Sequence, residues 1–252
     1  MAKIFLFDVD GTLTPPKSKM DKGFSKQFLK WMSSREVYIV SGGTFVRIID
    51  QVGSEILNKV SGVFACMGNI FHQRAEAINE TGYSEWETIY ENKFKPPRNL
   101  YKDLEKIVKE SEFPIKAGNH YEERAGMVNF SIVGRAATPD QREKYEQYDP
   151  LHRERERIVE ELKEEYPRLD FVIGGAVSID IFNVGNDKSQ IVERYFKEAL
   201  EGNQILFVGD RIPFPGNDCA IATALRQHPN GSAYEVESWQ DTAELLKTEP
   251  FA

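Results

Sequence analysis

The chain lacks long apolar runs, has few cysteines and carries no excess of basic residues. No hydrophobic run approaches the roughly 20 residues that span a bilayer, and the N-terminus has no signal-peptide core. We therefore expect a cytoplasmic protein without a membrane partner, whose two cysteines, Cys66 and Cys219, stay reduced. The net charge of −8 argues against nucleic acid as a partner. An anionic substrate would then need a local basic cluster.

The most informative segment is residues 5–15, which read FLFDVDGTLTP. The apolar residues 4–7 predict a buried strand, and two carboxylates, Asp8 and Asp10, follow it. Alternation in a strand places both on one face, at the strand end where open α/β sheets bind ligands. Such a pair can hold a divalent cation, or one acid can attack phosphorus while the other moves a proton. A bare D-x-D-G pattern is equally typical of an ordinary Asp-Gly turn.

Both ends of the chain predict one α/β domain. Strand patterns occur at residues 4–7, 37–40, 62–66 and 205–208, and helical spacing at 23–34, 44–51 and 188–200. Strands that alternate with helices predict a doubly wound parallel-sheet core. We assign residues 1–82 and 185–252 to this core domain.

The middle of the chain has a different pattern. It predicts a helix at 101–111, an alternating strand at 127–133, a charged helix at 154–165 and a hairpin of 171–173 with 177–181. We assign residues 83–184 to an inserted α+β cap domain. Insertions of this kind are tolerated where the host chain meets the surface.

Three further motifs place polar residues at predicted strand ends. Ser41 precedes two glycines, and its hydroxyl can bind phosphate oxygens. Lys188 begins the helix after the insertion, where a lysine can neutralise phosphate charge. Alone, the first feature is more typical of a plain strand-end turn, and the second is more typical of an ordinary exposed lysine. Asp210 follows a strand and Asp218 ends a Gly-Asn-Asp loop, so both acids can complete a magnesium site near Asp8.

Taken in order, these four motifs resemble those of the haloacid dehalogenase superfamily of phosphotransferases. The resemblance implies that Asp8 becomes a transient aspartyl phosphate and that Asp10 is the general acid and base. It implies that Ser41 and Lys188 hold the transferring phosphoryl group. The Mg²⁺ ligands would be drawn from Asp8, Asp10, Asp210 and Asp218.

The insertion resembles the cap of the eukaryotic-type phosphomannomutases. Residues 124–135 read RAGMVNFSIVGR, Arg142 follows, and residues 174–182 read GGAVSIDIF. By matching position, the resemblance implies that these residues bind the sugar or its distal phosphate: Arg124, Asn129, Arg135, Arg142, Ser178 and Asp180. Lys17 stands where the family usually has a substrate-binding arginine. Guanidinium groups suit such a role because they grip phosphate in bidentate fashion, although arginines in so charged a segment are also typical of a plain surface.

This resemblance extends over nearly the whole chain and predicts a phosphohexomutase. It implies interconversion of mannose 6-phosphate and mannose 1-phosphate, with Mg²⁺ and a hexose bisphosphate activator, and it is compatible with a homodimer. The chain departs from the family at Lys17 and in residues 41–44, 65–69 and 211–215. A sugar-phosphate phosphatase with the same aspartyl intermediate therefore remains the alternative. A non-catalytic sugar-phosphate sensor is a third possibility, which the intact Asp8 and Asp10 disfavour.

Overall fold

The computed structural model describes residues 1–78 and 84–252, which form two compact units. The core unit comprises Met1–Glu91, Asn186–Phe214 and Asp218–Ala252, and the inserted unit comprises Asn92–Gly185 and Pro215–Asn217. Among the described residues, no helix has the length and apolar character needed to cross a membrane. The two cysteines are not joined in a disulfide.

The strands follow one another along the chain as β1 (Ala2–Phe7), β2 (Glu36–Val40), β3 (Gly62–Ala65), β4 (Ile70–Ile78), β5 (Ser84–Glu91), β6 (Tyr121–Arg124), β7 (Met127–Phe130), β8 (Leu169–Gly174), β9 (Ser178–Asn183), β10 (Asn203–Gly209) and β11 (Gly231–Glu235). The α-helices are α1 (Lys22–Met32), α2 (Phe45–Val52), α3 (Ser54–Leu57), α4 (Leu100–Glu110), α5 (Pro139–His152), α6 (Glu154–Glu165), α7 (Ala199–Gly202), α8 (Cys219–Arg226) and α9 (Trp239–Leu245). A 3₁₀ turn spans Cys66–Gly68 and a π-helical segment spans Val192–Phe196.

The core unit contains a seven-stranded sheet in the order β11-β10-β1-β2-β3-β4-β5. The first five strands in this order are parallel, and β4 and β5 are antiparallel to their neighbours. The predicted parallel core is therefore confirmed. Its central strand, β1, lies between β10 and β2 with Phe7 paired to both Val208 and Ile39. The residues that follow these three strands consequently meet at one edge of the sheet.

Residues 4–7 of β1 are buried on both faces of the sheet, which explains why this part of the strand is entirely apolar. On one face Leu6 packs in a cluster with Phe64, Phe207 and other residues. On the other face Phe7 meets Phe28 of α1 edge to face, with ring centroids 5.2 Å apart. Aromatic pairs of this geometry add to the stabilisation that burial gives, and they anchor the strand that presents Asp8.

The inserted unit contains an antiparallel four-stranded sheet in the order β6-β7-β9-β8. Apolar residues on one face, among them Phe130 and Ile179, pack in one cluster with residues of α4, α5 and α6 such as Leu104, Tyr145 and Ile158. Because side chains alternate along a strand, the opposite face carries the polar residues of β6, β7 and β9. This is the α+β composition that the sequence predicts for the insertion.

Several element boundaries differ from the prediction. Strand β5 begins after the predicted domain boundary at residue 82, yet it pairs with β4 in the core sheet. Strand β7 ends at Phe130 rather than continuing to residue 133. The predicted helix at 188–200 is interrupted by the π-helical segment before α7 begins. Helix α6 has the bounds that the sequence predicts.

Candidate active site

A buried carboxylate–ammonium pair lies at the end of β1. Asp8 follows β1 directly, its backbone N–H donates to Val208 O at 2.9 Å, and 5% of the residue is exposed. The fully buried ammonium of Lys188 donates to Asp8 Oδ1 at 2.6 Å and to Asp218 Oδ1 at 2.6 Å. One cation therefore joins a carboxylate at the N-terminal strand to one at the start of α8.

Asp210 brings a third carboxylate to this point. It follows β10 as Asp8 follows β1, and these parallel strands end side by side. One carboxylate oxygen from each of Asp8, Asp210 and Asp218 lies within 4.8 Å of the other two. Lys188 contacts Asp8 and Asp218, and Arg211 Nε lies 3.4 Å from Asp210 Oδ2. Three ionised carboxylates beside these two cations still leave an excess of negative charge, which a divalent cation with oxygen ligands can neutralise.

The pKa values of these groups reflect the same crowding. Burial raises the pKa of Asp8 well above 3.8, and Asp218 and Asp210 add to the rise while Lys188 opposes it. Burial, followed by repulsion from Asp218, raises the pKa of Asp210 to about 6. Burial alone would lower the pKa of Lys188, but attraction to Asp218 and Asp8 outweighs it and raises that pKa. Lys188 therefore stays charged at neutral pH.

Gly11 allows Asp210 to approach the loop that follows Asp10. Its φ of +84° lies in the left-handed region, which non-glycine residues seldom adopt. A Cβ at this position would also collide with the carboxylate of Asp210. The glycine of the D-x-D-G pattern is thus required both by the turn and by the neighbouring acid.

Asp10 lies in a separate hydrogen-bond environment. Its Oδ1 accepts from the backbone N–H of Lys17 at 2.5 Å and from Nε2 of Gln51 at 2.8 Å. It does not belong to the group formed by Asp8, Asp210 and Asp218. The structure therefore separates the two acids of the motif: one faces Lys188, and the other is held by the loop of residues 11–17 and by α2.

Ser41 follows β2, the neighbour of β1, and 2% of it is exposed. Its backbone N–H donates to Phe64 O at 2.9 Å, and its Oγ accepts from the N–H of Gly43 at 3.0 Å. A hydroxyl that accepts one hydrogen bond can still donate its own proton. Ser41 is thus fixed at the strand end with an O–H group that can donate to an anion.

The polar face of the inserted sheet joins several of the predicted binding residues. Glu122, Asn129 and Asp180 are cross-strand partners on β6, β7 and β9. Asn129 Nδ2 donates to Asp180 Oδ1 at 2.6 Å. Arg135 donates to both Asn129 Oδ1 and Glu122 Oε2, and Arg124 also donates to Glu122 Oε2, at 2.6 Å. Two guanidinium groups thus converge on a single carboxylate.

Arg142 and Ser178, two further predicted binding residues, contact neighbouring segments of the inserted unit. Arg142, on α5, donates to Ala137 O at 3.0 Å and to Arg135 O at 3.2 Å, so it braces the segment that carries Arg135. Ser178 begins β9 opposite Gly174. Its carbonyl accepts from Arg155 Nη1 at 3.3 Å.

Two contributors to these sites were missed by sequence reasoning. Gln51 contacts Asp10 from the last turn of α2, where sequence spacing gives no indication of proximity. Glu122 lies in YEER, a polar strand without a binding motif, although its spacing from Arg124 places both on one face. Lys17, a predicted binding residue, contributes its backbone N–H to Asp10 and has φ of +56°.

Comparison with known proteins decides the family. Residues 25–249 match the family model described as eukaryotic phosphomannomutase. The chain belongs to this family. A phosphomannomutase from Dendrobium officinale is 33% identical over 97% of this chain and 92% of its own length. The phosphomannomutase from Saccharomyces cerevisiae is 30% identical over 96% and 92% of the two chains.

Several solved structures are similar in fold to this chain. An IMP-nucleotidase variant from Plasmodium falciparum has a TM-score of 0.66 at 15% identity, covering 98% of this chain and 67% of that chain. A haloacid dehalogenase-like hydrolase from Bacteroides thetaiotaomicron has a TM-score of 0.54 at 13% identity, covering 97% and 93%. At such low identity these neighbours show a shared fold alone, the predicted haloacid dehalogenase-type core with a cap.

Proposed function

We propose that the protein is a phosphohexomutase that interconverts mannose 6-phosphate and mannose 1-phosphate through a phosphoryl group carried on Asp8. The observation that carries the proposal is the buried Asp8–Lys188–Asp218 arrangement in a chain of the phosphomannomutase family. A sugar phosphate is the substrate class that the family implies. Catalysis of this kind rests on positioning and charge compensation.

In the forward step Asp8 attacks the phosphoryl group of a hexose bisphosphate. The bond from Asp8 Oδ to phosphorus forms while the bond from phosphorus to the sugar oxygen breaks, and Asp10 gives its proton to that oxygen. In the return step a hexose monophosphate phosphorylated at the opposite end binds, Asp10 removes the proton from its free hydroxyl, and the phosphoryl group passes from Asp8 to that oxygen, which regenerates the bisphosphate. Lys188 balances charge on the phosphoryl oxygens, and the hydroxyl of Ser41 donates a hydrogen bond to one of them.

The carboxylates of Asp8, Asp210 and Asp218 fit a resident Mg²⁺. Their oxygens lie close together, and their charge exceeds what Lys188 alone compensates. When bound, the ion would neutralise carboxylate and phosphoryl charge at this point. The raised pKa values of Asp8 and Asp210 are consistent with a site built for a further cation.

The inserted unit supplies candidates for holding the second phosphate. Arg124 and Arg135 share Glu122, so a phosphate can compete for two guanidinium groups at once. Bidentate hydrogen bonds from guanidinium to phosphate are strong, and the guanidinium group stays charged at all relevant pH values. Ser178 and Asp180, with their hydroxyl and carboxylate, are suited to sugar hydroxyls.

The test follows both possible products from mannose 1-phosphate. With Mg²⁺ and a catalytic amount of hexose bisphosphate, phosphorus NMR should show mannose 6-phosphate forming faster than inorganic phosphate. Glucose 1-phosphate, tested in parallel, measures sugar preference. Stoichiometric phosphate release without any isomer would overturn the mutase and make the protein a phosphatase.

A further inference from the structure

We infer that Gln51 is the positioning residue for Asp10, and that its side-chain amide fixes the carboxylate that moves the proton. The inference deepens the proposed function, since it concerns the general acid and base of that reaction. Gln51 Nε2 donates to Asp10 Oδ1 at 2.8 Å. Gln51 is 4% exposed and Asp10 is half-buried, so this bond is partly shielded from water, which makes it stronger than the same bond at an open surface.

Helix α2 fixes where this amide lies. Gly53 adopts φ of +89° and its N–H returns to Ile49 O at 3.0 Å, which ends the helix two residues beyond Gln51. The backbone carbonyl of Gln51 accepts from Met20 N–H at 2.8 Å. Gln51 thus contacts the loop after Asp10 through both its backbone and its side chain.

The amide also contacts the base of the same loop. Gln51 Nε2 lies 3.4 Å from Thr14 Oγ1, and Thr14 in turn donates to Val9 O at 3.3 Å. Asp10 and Thr14 are joined by a backbone bridge. A single NH₂ group, which has two protons to donate, therefore spans the start and the end of the turn that carries Asp10.

The orientation of the amide follows from charge. If its oxygen faced Asp10, two hydrogen-bond acceptors would meet in a half-buried space. With the NH₂ group toward Asp10, Oε1 has no hydrogen-bond partner among the described residues. An unpaired buried acceptor is destabilising, and in this orientation the unpaired atom is Oε1, which points away from Asp10. The donor is therefore directed at the catalytic carboxylate.

The contact of Gln51 with Asp10 affects only the reaction steps that need the Asp10 proton. Gln51 and Lys17 N–H both donate to Oδ1 of Asp10, so they fix the rotation of the carboxylate and leave Oδ2 to exchange the proton with the sugar oxygen. Steps that need this proton depend on Gln51. Attack by Asp8 on a phosphate with a weakly basic leaving group does not.

The experiment compares Gln51→Met and Gln51→Glu with Gln27→Met. Gln27 is a matched control in the core unit, since its amide donates to a backbone carbonyl, Ala243 O, at 2.7 Å. Three quantities are measured: kcat and KM for mannose 1-phosphate isomerisation, the burst of nitrophenolate from 4-nitrophenyl phosphate, and the melting temperature. The burst reports phosphorylation of Asp8 with a leaving group that needs no proton.

Both Gln51 variants should lower kcat about tenfold to a hundredfold, a fraction of what general acid–base catalysis contributes, with KM and burst rate within about threefold of wild type. Gln51→Glu should be the more damaging, because a second carboxylate would face Asp10. Gln27→Met should leave all three values near wild type. If Gln51→Met does not fold, Gln51→Asn replaces it, since the shortened amide no longer reaches Asp10.

Three outcomes would overturn the inference: equal losses in isomerisation and burst, a rise in KM alone, or wild-type kcat in both Gln51 variants. Absence of isomerisation by the wild-type protein would instead overturn the proposed function. The two failures are therefore distinguishable in one series of measurements.

Discussion

At the scale of single residues, the end of β1 buries more negative charge than positive. Lys188 is shared between Asp8 and Asp218 while Asp210 lies beside them. Taking carboxylates out of water is costly unless each is compensated. The uncompensated carboxylates at the ends of β1 and β10 therefore destabilise the core unit, and a bound cation can offset this destabilisation.

Replacement of the nucleophile is the first prediction. Asp8→Asn should abolish turnover, because an amide cannot form the acyl phosphate, and it should leave the melting temperature unchanged or higher, since one buried charge is removed. Steady-state kinetics and thermal unfolding check the two halves of this expectation. Near-normal activity in the folded variant would exclude Asp8 as the nucleophile.

The raised pKa of Asp210 gives a pH-dependent prediction. A carboxyl group whose pKa is about 6 when folded, against 3.8 ordinarily, binds its proton more tightly in the folded chain. Its contribution to stability is present below pH 3.8 and is lost as the pH rises through about 6. Metal binding needs the ionised form. The rise in melting temperature on adding Mg²⁺ should therefore be larger at pH 7.5 than at pH 5, and an equal rise at both would contradict the assignment.

At the scale of elements, the hairpin of β8 and β9 is tied to the helices of the inserted unit by one buried ion pair. Arg155 Nε donates to Asp149 Oδ2 at 2.7 Å, and Arg155 Nη1 donates to Gly175 O at 2.9 Å. The side chains are 11% and 9% exposed. This pair connects the end of α5 and the start of α6 to the turn that precedes Ser178.

Loss of one partner should destabilise the inserted unit strongly. Arg155→Met leaves the Asp149 carboxylate buried without its cation and should cost about 3–5 kcal/mol in the free energy of unfolding. Adding Asp149→Asn should recover part of that loss, because the orphaned charge disappears. Urea denaturation of the single and double variants measures both. An additive double variant would mean that the two side chains do not interact.

The same elements show why some of the fold could be predicted from the sequence and some could not. Buried parallel strands have a plain apolar pattern, so β1, β2 and β10 were found. Helix α5 was missed because it lacks a clear apolar stripe, although Thr138 and Gln141 form a capping box with Pro139 at its first turn. The order of the motifs along the chain predicts that Asp8 and Lys188 lie close together, as they do in the structure, whereas the contact of Gln51 with Asp10 depends on how α2 packs.

At the scale of the whole molecule, a mutase differs from a phosphatase in retaining its bisphosphate intermediate. Asp8 must exchange its phosphoryl group between the two ends of one sugar. Under the proposed function, residues of the inserted unit bind the end that is not reacting. The ratio of isomer to released phosphate therefore depends on residues that take no part in the chemical step.

Arg135→Ala tests this dependence. Arg135 is partly buried and shares Glu122 with Arg124, so its removal should weaken phosphosugar binding by about 1.5–3 kcal/mol, the usual contribution of a charged hydrogen bond. The bisphosphate should then escape more often, and a weakly bound sugar phosphate should leave the phosphoryl group on Asp8 open to hydrolysis by water, so fewer isomers should form per phosphate released. The nitrophenolate burst should change little, because an aryl phosphate offers no second phosphate to hold.

The control variant is Arg98→Ala, which removes an exposed arginine of the same unit and should leave the ratio of isomer to phosphate at the wild-type value. A lower overall rate with an unchanged ratio would mean that Arg135 supports the fold of the inserted unit and does not retain the intermediate.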